Sequence, residues 1–206
     1  MKPVLVTQRV DVVPSYGERR DALDQRWAPF LAACGLLAVP VANDRAVALA
    51  LAAATAPAGI LLTGGNDLVA IGGNAPERDD TEDALLAYAR ERRLPLLGVC
   101  RGMQFLLHRF GAPLEVVEGH VAVRHSVTAD GRPLVVNSYH RYAARALGPG
   151  LRALAVGEDG VVEAFRHADE PIAGLMWHPE REDPFLRRDI DLVRHFFTDG
   201  TIRIEP

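Results

Sequence analysis

Cysteine is nearly absent: of 206 residues only Cys34 and Cys100 carry a thiol. A disulfide framework belongs to small secreted domains with several pairs, so a stapled fold is excluded and a reducing compartment is expected. A basic excess is lacking as well, since acidic side chains outnumber Lys and Arg and leave a net charge of −4. Binding to a nucleic-acid backbone is therefore not expected, although a locally positive pocket for a small anion stays open. Long apolar runs are missing too. Val4-Leu5-Val6 is far too short for a signal peptide or a membrane span, and the Ala-rich stretch from Ala46 ends at Pro57. No Gly/Ser linker, internal repeat or low-complexity tract divides the chain. These absences predict one cytoplasmic domain over residues 1–206, with no membrane or nucleic-acid partner.

What is present is an alternation of short apolar runs and helical stretches, the pattern of a largely parallel sheet covered on both faces. Strands are predicted at Val4–Val6, Leu36–Val39, Ile60–Leu62 and Leu96–Val99. Helices are predicted over Asp21–Cys34, Arg45–Ala54, Thr81–Arg92 and Met103–Phe110, with Pro29 kinking the first and Thr81 capping the third. The second half differs. A strand at Leu134–Val136 precedes a hairpin, Arg152–Val156 and Val161–Phe165, turned by Glu158-Asp159-Gly160. A last strand, Ile172–Met176, and a closing helix, Phe185–Phe197, complete the order, so an antiparallel portion should extend the parallel one.

The chemistry concentrates at Gly98-Val99-Cys100-Arg101-Gly102, between a strand and a helix. Small residues two positions either side of a nucleophile suit a tight strand–nucleophile–helix elbow. The helix N-terminus favours a thiolate, and the N–H of Arg101 is placed to hold an oxyanion. The same pattern also fits a buried structural cysteine. A base is found in His178, at the end of the last strand, with Glu180 two residues on to orient it. Gly64-Gly65, ending the strand Ile60–Leu62, can turn a second N–H, that of Gly65, into the site, or can be an ordinary turn. His120 and His125 suggest a metal pair, but the sequence shows no Cys or carboxylate cluster to complete it, so neither metal nor organic cofactor is expected.

Together these pieces resemble the class I glutamine amidotransferase-like superfamily, in its γ-glutamyl hydrolase (peptidase C26) branch. The motif G-x-C-x-G-x-Q matches Gly98 to Gln104 at every fixed position, and His-x-Glu and the Gly-Gly loop are both found in the right chain order. Finer features are similar to the subgroup that acts on γ-glutamyl-CDP-amidate in capsule phosphoramidate biosynthesis. They run from Thr7-Gln8-Arg9 through Gly64–Leu68, Arg78-Asp79, His125–Val127, Asn137–His140 and Glu163–His167 to Met176–Glu182. Pro179, inside the His-x-Glu pair, is instead the general superfamily form.

The resemblance implies a flavodoxin-like α/β/α sandwich and a Cys100–His178–Glu180 triad with the N–H groups of Gly65 and Arg101 as oxyanion hole. Gly64, Asn66, Gln104, Asn137, Ser138, Tyr139 and His140 would bind the γ-glutamyl group. Arg9, Arg78, Arg166 and His167 would face an anionic, nucleotide-linked phosphoramidate, because arginine's planar fork suits phosphate. No obligatory synthetase partner is then expected. Other readings are a glutaminase subunit feeding a separate synthetase chain, a dienelactone-hydrolase-like enzyme, and a non-catalytic chaperone-like or ligand-binding relative.

Overall fold

The computed structural model describes residues 1–204. The chain begins β1 (Lys2–Thr7), β2 (Arg9–Val12), β3 (Arg19–Ala22), α1 (Trp27–Ala33), β4 (Leu36–Val41), α2 (Arg45–Thr55) and β5 (Gly59–Leu62). It continues α3 (Pro76–Arg92), β6 (Leu96–Val99), α4 (Arg101–Arg109), β7 (Glu115–Val116), β8 (Val121–Ala129), β9 (Arg132–Tyr139) and β10 (Tyr142–Ala143). The last elements are β11 (Leu151–Gly157), β12 (Val162–His167), β13 (Ile172–Leu175), a 3₁₀ turn at Pro179–Arg181 and α5 (Arg187–Asp199).

One sheet carries the order β4-β1-β5-β6-β13-β12-β11-β8-β9. Its first five strands are parallel, in the 2-1-3-4-5 order of flavodoxin-like folds. From β13 to β9 every pairing is antiparallel, which is the expected extension. The interior parallel strands β5, β6 and β13 are apolar and buried throughout because both their faces are covered. Val4 and Val6 pack with α1 and α5, through Trp27, Phe30, Val193 and Phe196. Leu5 and Ile60 pack on the other side with α2, α3 and α4, through Ala52, Leu85 and Leu106. Leu62 pairs with Gly98 and Gly98 with Gly174, so β5, β6 and β13 end together. The segments after them, at the carboxyl edge of the sheet where open α/β folds bind ligands, start from one line. Among the described residues no helix is long and apolar enough to cross a membrane.

Three local expectations are corrected. The helix predicted from Asp21 begins only at Trp27, because Arg19–Ala22 pairs with Arg9–Val12 as a small antiparallel ribbon. Pro29 does not kink it: it lies in the first turn, where its missing N–H would have no intrahelical acceptor. The third helix starts at Pro76, with Glu77 and Asp79 in its first turn, and Thr81 is a buried interior residue instead of the cap. Strand β8 was not anticipated: Val121, Val123, Val127 and Ala129 alternate along it, but His125 interrupts the apolar positions and only Val127 and Ala129 are buried. The Asp130-Gly131 pair joining it to β9 is a hairpin signal in the sequence, and in the structure both φ values are positive.

Candidate active site

Cys100 sits between β6 and α4 at φ 52° and ψ −106°, outside the conformations a side chain favours. Its N–H donates to the Leu175 carbonyl at 2.8 Å, and its carbonyl accepts from the Gln104 N–H at 3.0 Å. The flanking glycines are steric requirements. A Cβ on Gly98 would stand 2.5 Å from the Gly102 carbonyl, and one on Gly102 would stand 2.2 Å from the Leu62 oxygen. The thiol is nearly buried, at 7% exposure.

His178 follows β13, and its Nδ1 meets Glu180 Oε1 at 2.7 Å. The backbone between is held by Asn137. Its Oδ1 accepts from the His178 N–H at 2.8 Å, and its Nδ2 donates to the His178 carbonyl at 2.9 Å and to Glu182 at 2.8 Å. A Cβ on Gly64 would lie 2.8 Å from His178 Cε1 and 3.6 Å from Cys100 Cβ, so the glycine loop, the imidazole and the thiol converge. Burial, the largest influence on His178, would lower its pKa. The negative charges of Cys100 and Glu180, with hydrogen bonding toward both, outweigh burial and push it up to about 9. Tyr139 lies edge-on to the imidazole, ring centres 5.6 Å apart.

The glycine loop is set from below by Arg78, whose side chain is fully buried. Nη1 donates to the carbonyls of Gly64 (3.1 Å) and Gly65, and Nη2 donates to that of Thr63 at 2.7 Å. In a trans peptide the N–H points opposite its carbonyl. Clamping the Gly64 carbonyl therefore turns the Gly65 N–H away from Arg78. Gly65 itself has φ +84°, which glycine adopts without strain. Arg78 in turn bonds Glu82 at 3.0 Å, and Glu82 also takes Thr7 Oγ1 at 2.8 Å and the Arg101 guanidinium. Arg101 reaches Asp79 as well.

These contacts correct the expectation that Arg78 would face substrate phosphate, since its donors are consumed by loop carbonyls and Glu82. Asn66 is likewise engaged: its amide exchanges hydrogen bonds with the Val10 backbone at 2.8 and 2.9 Å, pinning the loop to β2. Ser138 donates to the His120 carbonyl at 2.7 Å, and Gln104 Nε2 to that of Tyr142 at 2.8 Å. His140 faces Glu163, away from solvent. Arg166 and His167 lie at the wrong end of the sheet. Because β12 is antiparallel to β13, with Ala164 opposite Leu175 and Arg166 opposite Ala173, they flank the start of β13 while His178 extends from its finish. His167 instead accepts the N–H groups of Asp169 and Glu170 at 3.1 and 3.0 Å.

A cleft of about 260 Å³ opens beside the imidazole, lined by Arg9, Asp24, Gly64, Gly65, His178 and Arg181 among others. Arg9 borders this cleft, half exposed and paired with Asp11 at 2.8 Å. Arg181 was missed. It stacks over Tyr139 at 4.5 Å, and its closeness to the His-x-Glu pair was the available signal. Thr7 and Asp79 lie in stretches that the resemblance marks, but that Thr7 on β1 and Asp79 and Glu82 on α3 brace Arg78 and Arg101 had no signal in the sequence.

A family description, glutamine amidotransferase class-I, matches residues 30–190. The chain is 35% identical over 141 residues to the γ-glutamyl-CDP-amidate hydrolase of Campylobacter jejuni, covering 68% of this chain and 69% of that protein. It is 33% identical over 135 residues to the γ-glutamyl-γ-aminobutyrate hydrolase of Escherichia coli O157:H7, 51% of this chain and 53% of that one. A crystal structure from Thermoplasma acidophilum, provisionally described as one component of a GMP synthase, shares the fold with a TM-score of 0.69 at 21% identity, over 96% of this chain and 92% of that one. Matched across most of its length by the family pattern and over two thirds of both chains by a relative, the protein belongs to the class-I glutamine amidotransferase family.

Proposed function

We propose that this protein is a cysteine hydrolase that cleaves a γ-glutamyl amide and releases glutamate. The observation that carries the reading is His178, bonded to Glu180 through Nδ1 and raised in pKa by the charge of Cys100. A pKa near 9 means that at neutral pH the imidazole carries the proton that the leaving nitrogen needs. The thiolate attacks the γ-carbonyl, and the N–H groups of Gly65 and Arg101 receive the tetrahedral oxyanion. The imidazolium then protonates the leaving nitrogen, and a γ-glutamyl thioester remains on Cys100. His178, now neutral, draws a proton from water, which hydrolyses the thioester and frees glutamate. Glu180 keeps the imidazole oriented throughout.

For the leaving group we favour an anionic phosphoramidate, with γ-glutamyl-CDP-amidate the nearest example. Likeness to the Campylobacter hydrolase supports this, as do two arginines, Arg9 and Arg181, on the rim of the cleft. Phosphate contacts remote from the amide would hold the γ-carbonyl over Cys100, so truncated substrates should lose turnover as well as affinity. The cytoplasm is the compartment such a substrate implies.

The test compares kcat/KM for γ-glutamyl-CDP-amidate, free glutamine and a neutral γ-glutamyl amide. Wild type should prefer the phosphoramidate, Arg9→Ala should erode that preference, and Arg166→Ala, at the far end of the sheet, should leave it intact. A preference for the neutral amide that Arg9→Ala does not touch would defeat the phosphoramidate reading. Inertness toward all three would defeat the hydrolase reading.

A further inference from the structure

Away from the thiol, four side chains from four segments meet around one carboxylate. His120 precedes β8, His125 lies within it, His140 follows β9, and Glu163 is the second residue of β12. Glu163 Oε1 stands 3.3 Å from His120 Nδ1, 3.4 Å from His140 Nε2 and 3.5 Å from His125 Nε2. Glu163 and His140 side chains have no solvent exposure, and His120 very little. None of these four facing atoms has a hydrogen-bond partner among the described residues, and Glu163 Oε2 has none either. Buried polar groups are nearly always paired, so a convergent set of orphans demands an explanation. Each is a potential donor atom for a metal.

We infer that His120, His125 and Glu163, whose donor atoms lie within 4.8 Å of one another, bind a divalent transition metal of the zinc class, with His140 set behind Glu163 Oε1. The spacing is the first reason. Zinc takes nitrogen and oxygen ligands at about 2.0–2.1 Å, so neighbouring ligand atoms around a tetrahedral ion stand about 3.3–3.4 Å apart. The separations of His120 Nδ1 and His125 Nε2 from Glu163 Oε1 fit that edge and are longer than the usual N–H···O bond of about 2.9 Å. The ligand chemistry is the second reason, since neutral imidazoles with one carboxylate suit zinc and not calcium or magnesium. The third is the support behind the ligands. His120 gives its other nitrogen, Nε2, to Asp159 Oδ2 at 3.1 Å, the carboxylate–histidine arrangement that fixes tautomer and ring in metal centres. Asp159 comes from the β11–β12 turn, so a fifth segment is committed to the arrangement. His125, one fifth exposed, offers the way in from solvent.

A metal here would stiffen one wall of the candidate active site. The Glu163 carbonyl accepts the N–H of Met176, two residues before His178, and the Ser138 hydroxyl and His140 N–H both bond the His120 carbonyl. The role is positional, and no step of the hydrolysis passes through the ion.

The full-length protein is to be stripped with a chelator, re-equilibrated with Zn²⁺, dialysed against a competing chromophoric chelator and analysed for metal. About one zinc per chain should remain, and unfolding should shift to higher temperature with Zn²⁺ and back with chelator. Co²⁺ should give the absorption of a tetrahedral site. His125→Ala and Glu163→Gln should each lose the Co²⁺ signal and the thermal shift, while Asp159→Asn should weaken binding about 10–100-fold. Failure of wild type to retain zinc in the competition would overturn the proposal, as would equal retention by His125→Ala and Glu163→Gln. If Glu163→Gln instead raised KM for a γ-glutamyl substrate in a wild type that binds no zinc, Glu163 would be a substrate contact and the metal site would be wrong. Metal content is read without turnover, so this result stands or falls separately from the hydrolase reading.

Discussion

Single residues in the elbow carry opposed demands of stability and chemistry. Cys100 holds φ 52° because β6 must turn at once into α4, and a non-glycine residue in a sparsely populated region costs about 1–3 kcal/mol. Cys100→Ala and Cys100→Gly should both lose turnover. The glycine variant should nonetheless be more stable than the alanine variant by about 1 kcal/mol or more in urea unfolding, because only glycine relieves the strain. Equal stability of the two would mean that the elbow is not strained. His178→Asn should lose more rate than Glu180→Gln, since an orienting group is easier to replace than a base, and the reverse order would reassign the pair. These residues were legible in the sequence because their constraint is local. Gly98 is dictated by the elbow's own Gly102 carbonyl, Gly102 by the neighbouring strand β5 that the motif implies, and His178 and Glu180 meet across one intervening proline.

At the scale of elements, α3 and the loop after β5 act as one unit, and its logic was not legible. The sequence predicts a helix over Thr81–Arg92 and reads Arg78 as facing substrate, yet Arg78 and Glu82 are completely buried beneath the glycine loop. A buried guanidinium whose fork spans three carbonyls cannot be replaced by the point charge of lysine. Arg78→Lys should therefore fold but lose about 10²-fold in kcat with a smaller change in KM, if the loop it aims supplies the proposed oxyanion donor, the Gly65 N–H. Arg78→Ala should cost about 3–5 kcal/mol, because Glu82 is left buried and less well paired. Normal kcat in a folded Arg78→Lys protein would show that the clamp does not position the loop. Gly102→Ala offers a contrast within α4. Its Cβ would meet backbone, the Leu62 oxygen at 2.2 Å, so loss of fold and not loss of rate is expected, checked by thermal unfolding.

Across the whole molecule, pH should act on stability through Asp189. This carboxyl, in the first turn of α5, is buried against Trp177 Nε1 at 3.3 Å. Burial pushes its pKa up to about 6 from the ordinary 3.8, only partly offset by Arg188 and the indole N–H. The folded chain thus holds this proton more tightly than the unfolded one. Its contribution to stability is complete below about pH 4 and is lost as pH rises through 6. Asp189→Asn, which imitates the protonated form, should change little at pH 4 and stabilise the protein by on the order of 2–3 kcal/mol at pH 8. A variant no more stable than wild type at pH 8 would contradict the burial argument. The sequence by itself determined what short-range sterics and hydrophobic periodicity can specify. These are the parallel strands, the Cys100 elbow, the His178–Glu180 pair, and the β/α order that places them at one sheet edge. Tertiary structure alone decided which charges meet. The antiparallel course of β12 carried Arg166 and His167 away from the cleft and brought Glu163 to three histidines from distant segments, and packing turned Arg78 and Arg101 inward. Charge has no period along a chain. Its partners are set by strand register and burial, which exist only once the sheet has formed.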